Sequence, residues 1–140
     1  MKKSKKESGM DVMAESCFVR ECIKKEYRER IQFELQSKKH RQKAMSRFAH
    51  DCEGILQGGY QTVTASELAR LLDAISEKEP CYLITDGAGD GTDMPMQKAR
   101  EFLQSAYMPV ILISPGFCVI KPEAEGGRAE YYVFAKGEAR

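Results

Sequence analysis

The sequence predicts an α+β protein: an N-terminal helical hairpin, then a further helix and a small mixed four-stranded sheet with one crossover helix. Three observations carry that prediction. Residues 11–35 contain no glycine or proline and repeat apolar side chains at helical spacing. Beyond Pro80 the period changes, and two compact β-rich apolar runs appear, CYLIT and PVILIS. Between those runs, MPMQKAREFLQSAY places its apolar residues on one helical face, the order expected of a strand, a crossover and a second strand. The length of 140 residues suits one ordinary domain, which can bury a core without disulfides or metals. The expected organisation is a single α+β domain over 1–140, with a flexible basic tail at 1–10, the helical hairpin at 11–57, and the helix plus βαβββ region at 66–140.

The first helix is expected from Asp11 to about Leu35, because Val12, Val19, Ile23, Tyr27 and Ile31 recur at steps of four or seven. Arg30 falls near the centre of that face, with Glu26 and Glu34 four residues to either side, the spacing of a helical ion-pair string. The alternative for Arg30 is a side chain that reaches solvent along its aliphatic stem. QSKKHRQ breaks the pattern and offers Ser37 as the cap of a second helix, whose hydroxyl can accept a bond from a free first-turn amide. Ala44, Met45, Phe48, Ala49, Cys52, Ile55 and Leu56 then form an apolar stripe, and Gly58 and Gly59 stop it. A third helix follows TVTAS, capped by Ser66 and buried through Leu68, Leu71, Leu72 and Ile75, and it ends over 76–80.

In the sheet region, CYLIT and PVILIS are expected as parallel neighbours joined by a helix with Met96, Ala99, Phe102, Leu103 and Ala106 on its buried face. Pro115 and Gly116 turn the chain back through FCVIK as an antiparallel partner. After Gly126 and Gly127, AEYYVFAK supplies a last strand.

With 42% hydrophobic and 31% charged residues, the composition is that of a globular protein rather than a disordered one. No apolar stretch approaches the length that crosses a bilayer. The N-terminus MKKSKKESG has the charge of a signal peptide's first part, but acids occupy the span where an apolar region should follow. A cytoplasmic location of bacterial character, with no membrane partner, is therefore the expectation. The five cysteines are Cys17, Cys22, Cys52, Cys81 and Cys118, with no C-x-x-C pair and no matched histidine spacing. They read as small hydrophobes, which argues against a disulfide framework and against a zinc site. Cys52 lies two residues from His50, a separation that points to different faces of a helix.

A net charge of +1 hides an asymmetry. Residues 1–50 hold 14 Lys and Arg against 7 Asp and Glu, whereas residues 51–140 hold 8 against 14. Lys43, Arg47 and His50 line up at i, i+4 and i+7 on the wet side of the second helix, a row able to grip an anionic partner. That row shows no interleaved aromatics of the kind that stack on nucleic-acid bases.

The acidic counterpart is CYLITDGAGDGTDMP, in which Asp86, Asp90 and Asp93 follow an apolar strand and precede a helix. Open α/β sheets place ligands at such strand ends, and Asp86 with Asp90 could serve a magnesium ion. The spacing fails an EF-hand, since Gln97 stands at the twelfth position. Asp90-Gly91-Thr92 resembles the end of the first D-x-D-G-T motif of haloacid-dehalogenase-type phosphatases, but Ala88 occupies the nucleophile position. No lysine follows the glycines, as a phosphate cradle requires. A geometric reading accounts for every residue: Asp93 caps the helix, Pro95 sits in its first turn, and Gly87, Gly89 and Gly91 take positive φ angles.

Without a nucleophile, an acid/base pair or a metal cluster, catalysis has no visible agent, and no catalytic residue, cofactor or metal is assigned. The expected function is non-enzymatic protein binding by charge complementarity, as in an inhibitor or immunity protein, with Asp86, Asp90, Asp93, Lys43, Arg47 and His50 as contact residues. The alternatives are nucleic-acid binding through the basic helices and a metal-dependent phosphoester hydrolase using the 86–93 loop. Magnesium or calcium should leave the melting temperature unchanged; a saturable rise that Asp86→Asn abolishes would show instead that the loop binds the cation.

Overall fold

A computed structural model describes residues 11–105, 108–123 and 130–135. The expected tail at 1–10, the expected helical position of Ala106 and the expected turn at Gly126 and Gly127 lie outside the described residues. The chain is α+β, and its sheet has six antiparallel strands where four mixed ones were expected. The elements are α1 (Val12–Cys22), α2 (Lys25–Gln36), α3 (Arg41–His50), the single turn α4 (Cys52–Ile55), β1 (Gln61–Thr64), α5 (Ala65–Asp73), β2 (Pro80–Thr85), β3 (Thr92–Pro95), α6 (Met96–Ser105), β4 (Val110–Ser114), β5 (Phe117–Lys121) and β6 (Glu130–Ala135). Strand order across the sheet is β1-β6-β5-β4-β2-β3.

The first helix is not continuous. Ile23 leaves helical geometry (φ −103°, ψ 140°) and pairs with Leu56 in an isolated antiparallel bridge. Lys24 N donates to Ile55 O at 2.9 Å and Gln57 N to Cys22 O at 2.9 Å. The pairing of a fully buried Ile23 with the segment after α4 thus outcompetes helix continuation, and Arg28 holds the break by donating to Ile23 O at 2.8 Å. The expected ion-pair string lies wholly within α2 and gives way to a tertiary contact: Arg30 and Glu26 are exposed, and Glu34 turns inward to Arg47. Ser37 ends α2 instead of capping α3, its Oγ lying 2.9 Å from His40 Nδ1. α3 stops at His50, well before Gly58.

At α5 the cap is Thr64 rather than Ser66, in a reciprocal capping box with Glu67. Two strands escaped the sequence reading. β1, QTVT, is a short edge strand on β6 that runs directly into that cap. β3, TDMP, pairs antiparallel with β2, so Asp93 stands opposite Tyr82 in a ladder and caps nothing. Pro80 faces Pro95 at the end of that ladder; Pro80 is the first residue of β2 and Pro95 lies on the edge strand β3, two positions where a proline is tolerated. The first amides of α6 are satisfied by backbone instead: Met96 N donates to Glu79 O at 2.8 Å and Gln97 N to Glu77 O at 3.0 Å.

β3 also reverses the expected strand directions. β3 and β4 flank β2, both antiparallel to it, so α6 crosses over β2 to join two strands that share a direction. The crossover exists, with β3 rather than β2 as its first strand. The apolar runs that suggested parallel neighbours come from burial on both faces, which produces a continuous apolar strand whatever its direction. Tyr82, Ile84, Ile111, Ile113, Cys118 and Ile120 face a core built with α1–α4, where Phe18 and Phe48 lie 5.9 Å apart by ring centroids. Cys81, Leu83, Val110, Leu112 and Val119 face the other way onto α5 and α6.

The loop after β2 has the geometry that its glycines predict. Gly87, Gly89 and Gly91 have φ of 115°, 91° and 70°. Gly89 is also pressed against α6, where a Cβ would stand 2.7 Å from Phe102 Cζ.

Candidate functional site

The residues of greatest physical weight form a buried polar cluster where the helical layer meets the 86–91 loop. Arg41, at the start of α3, is buried and grips two carboxylates, each with two hydrogen bonds. Its Nη1 and Nη2 donate to Glu15 Oε1 and Oε2 at 3.0 and 2.6 Å. Its Nε and Nη2 donate to Asp90 Oδ2 and Oδ1 at 2.8 and 2.9 Å. Nη1 also donates to Leu35 O at 2.6 Å, a carbonyl left open at the C-terminus of α2. All five N–H donors of the guanidinium therefore have acceptors.

Tyr82 from β2 completes the cluster, donating to Glu15 Oε2 at 2.6 Å and accepting from Asp11 N at 2.9 Å. Burial and the Glu15 hydrogen bond push its hydroxyl above the usual phenol range, so it remains a donor. Burial alone would pull the Arg41 guanidinium down, but the hydrogen bonds and charges of Glu15 and Asp90 more than reverse that and lock it as a cation. Thr85 N donates to Asp90 Oδ1 at 3.1 Å, which ties the loop back onto its own strand. Glu15 is 1% exposed, and such a charge survives burial only with a partner of this kind.

The three loop aspartates consequently part ways. Asp90 is held by Arg41, Asp86 is half-buried, and Asp93 lies exposed on β3. Among the described residues no group of three or more His, Cys, Asp or Glu side chains is arranged to hold a metal ion. With both Asp90 oxygens engaged by Arg41 and Thr85, the loop has no ready pair of carboxylates for a divalent cation.

The row Lys43, Arg47 and His50 does lie along one side of α3, but its members differ. Arg47 makes a two-bond clasp on Glu34, Nε to Oε1 at 2.9 Å and Nη2 to Oε2 at 2.8 Å. That hydrogen bonding outweighs desolvation and, with the charges of Arg47, Arg30 and Lys43, lowers the Glu34 carboxyl below its ordinary 4.5. Lys43 is exposed, and His50 is exposed with Nε2 at 3.6 Å from Glu123 Oε1. Next to His50, Tyr132 donates to Glu53 Oε2 at 3.0 Å. In the turn from α2 to α3, Lys38 and Lys39 add two more exposed cations.

Four of the five cysteines are buried and Cys17 is half-buried. Burial, reinforced by nearby acids, raises the Cys52 thiol to about 12 and the Cys81 thiol to about 11, so neither is a thiolate nucleophile at neutral pH. No helix among the described residues is long and apolar enough to cross a membrane.

Sequence reasoning singled out Asp90 but missed Glu15, Arg41 and Tyr82. A signal was present. Glu15 lies between Val12 and Val19 on the α1 stripe, and Arg41 precedes Ala44 and Met45 at i−3 and i−4 on the α3 stripe. A charge on an apolar face implies a buried partner. Phe33, 59% exposed on α2, was also missed, because its place beside Lys43 of α3 is set by helix packing and not by spacing along the chain.

The class that fold and site define is an α+β protein with an antiparallel sheet covered on both faces and an internally neutralised ionic cluster. Comparison with family models, with curated proteins and with solved structures finds no match.

The Glu34–Arg47 clasp has a defined acid dependence. Because the folded carboxyl lies below 4.5, its stabilisation is complete above that value and is lost as the pH falls through the lower folded value. Urea unfolding of wild type and Glu34→Gln should therefore show a stability gap near neutrality that closes across this acidic window; a gap independent of pH contradicts the clasp.

Proposed function

We propose that the protein is a non-enzymatic, cytosolic protein-binding module of inhibitor or immunity type, acting by stoichiometric, charge-complementary contact through the basic side of the α2–α3 hairpin. The observation that carries this reading is the uneven way in which charges are neutralised internally. Arg41 absorbs Glu15 and Asp90, and Arg47 absorbs Glu34. What remains exposed on the hairpin is Lys25, Arg30, Lys38, Lys39 and Lys43 against Glu26 and Glu29. Unpaired surface charge of one sign steers association with a partner of the other. His50 extends the basic side towards the end of α3, and Asp86 with Asp93 leaves a weaker acidic contact. Asp90 contributes rigidity to that loop rather than surface charge.

A second reading, nucleic-acid binding, is favoured by one observation: the exposed Phe33 ring stands among these cations and could stack on a base.

Affinity capture from a lysate of the native host separates the two. The proposal expects a protein recovered in stoichiometric amount, and its loss when Lys39→Glu and Lys43→Glu are combined. Recovery of nucleic acid alone, falling steeply between low and moderate salt, supports the second reading and overturns the first. Protein recovery that ignores the charge reversal also contradicts it.

A further inference from the structure

We infer that the groove between α2 and α3 docks an acidic peptide segment carrying one large apolar side chain, with Phe33 as the anchor of the contact. This rests on the proposed binding role of the hairpin and assigns the place and chemistry of the contact. The groove encloses about 440 Å³ and is lined by Glu29, Arg30, Phe33, Glu34, His40 and Lys43. That volume suits a few side chains of a bound segment rather than a folded surface.

Phe33 is 59% exposed although it projects from a helix with Ile31 and Leu35 fully buried on its other side. Its ring meets His40 at 5.2 Å between centroids and a 41° tilt, and Ser37 Oγ holds the His40 ring at Nδ1, 2.9 Å away. The two rings form one aromatic wall. An apolar side chain placed against it removes ring area from water at the centre of a charged rim, the arrangement that concentrates binding energy.

The rim selects acids. Arg30 and Lys43 stand on its two walls, and Lys38 and Lys39 lie in the adjoining turn. Glu34 on the floor is neutralised by Arg47, so it does not repel an incoming carboxylate. Glu29 stays on the α2 wall, and Glu26 lies one turn before it. Those two carboxylates favour a peptide over a nucleic acid, because a peptide can place discrete acids opposite Arg30 and Lys43 and leave Glu29 uncovered. A phosphate chain carries a charge at every residue, and the groove offers it a single exposed phenyl ring for stacking.

The test uses the full chain and a displayed library of random short peptides, followed by titration of one selected peptide and of an oligothymidylate of similar length. Enriched sequences should combine Asp or Glu with Phe, Trp, Tyr or Leu. The selected peptide should lose about tenfold or more in affinity to Phe33→Ala, with the fold confirmed by an unchanged melting temperature. Loss of peptide binding on Lys43→Glu but not on Phe33→Ala overturns the groove while leaving the basic face as the contact surface. Failure of both variants to weaken binding overturns both proposals. Tighter binding of the oligothymidylate, lost on Phe33→Ala, overturns the peptide in favour of a nucleic acid. Phe33-dependent self-association in place of peptide binding assigns the groove to a second copy of the chain and contradicts the proposal.

Discussion

Arg41 is the point on which the described structure turns. Its guanidinium joins the beginning of α1 through Glu15, the end of α2 through Leu35 O, and the loop after β2 through Asp90, while Tyr82 connects the same cluster to the sheet. The helical layer could otherwise slide on an apolar sheet face, since dispersion and burial are not directional. A planar fork with five directed donors favours the arrangement in which all five are satisfied. Such a cluster is not a large net source of stability, because desolvating three charges offsets most of their attraction. Its physical effect is specificity: a misplaced helix leaves Glu15 buried and unpaired, at a cost of roughly 3–5 kcal/mol.

The same interaction decides what the glycine-rich loop can do. Three positive-φ glycines make a tight turn possible, and Gly89 brings it against Phe102, but those features alone leave the direction of the carboxylates open. Arg41 and Thr85 N settle it for Asp90. A loop that resembles part of a phosphatase motif is thereby turned into a strut, with Asp90 paired to Arg41. On the α2–α3 hairpin the exposed charge left after internal pairing is mainly basic and adjacent to an exposed ring.

Much of the fold was legible in the sequence, and the failures share two causes. Helical periodicity found the residues of α1 to α3, α5 and α6, and the apolar runs found β2, β4, β5 and β6. What periodicity could not see was the break at Ile23, because the competing bond partners at Ile55 and Gln57 are more than thirty residues away in the chain. Nor does local spacing show that Glu34 is drawn to Arg47 on the next helix rather than to Arg30, or that Phe33 stands beside Lys43. The second cause is strand brevity. QTVT and TDMP are four residues each, too short for alternation to register, and missing β3 reversed the inferred direction of β4 relative to β2. The candidate site was legible only in part: its exposed cations could be read locally, whereas Glu15, Arg41 and Tyr82 meet through tertiary packing.

Asp90 acts through Arg41, as a structural clamp. A double-mutant cycle between Arg41→Lys and Asp90→Asn, followed by chemical unfolding, measures that coupling directly. Lysine keeps the charge but cannot reproduce the paired hydrogen bonds. A clamp gives a coupling of about 1–3 kcal/mol, with the double variant less destabilised than the sum of the single ones. Additive costs, with coupling within about 0.5 kcal/mol of zero, would contradict it and free the Asp90 carboxylate for another role.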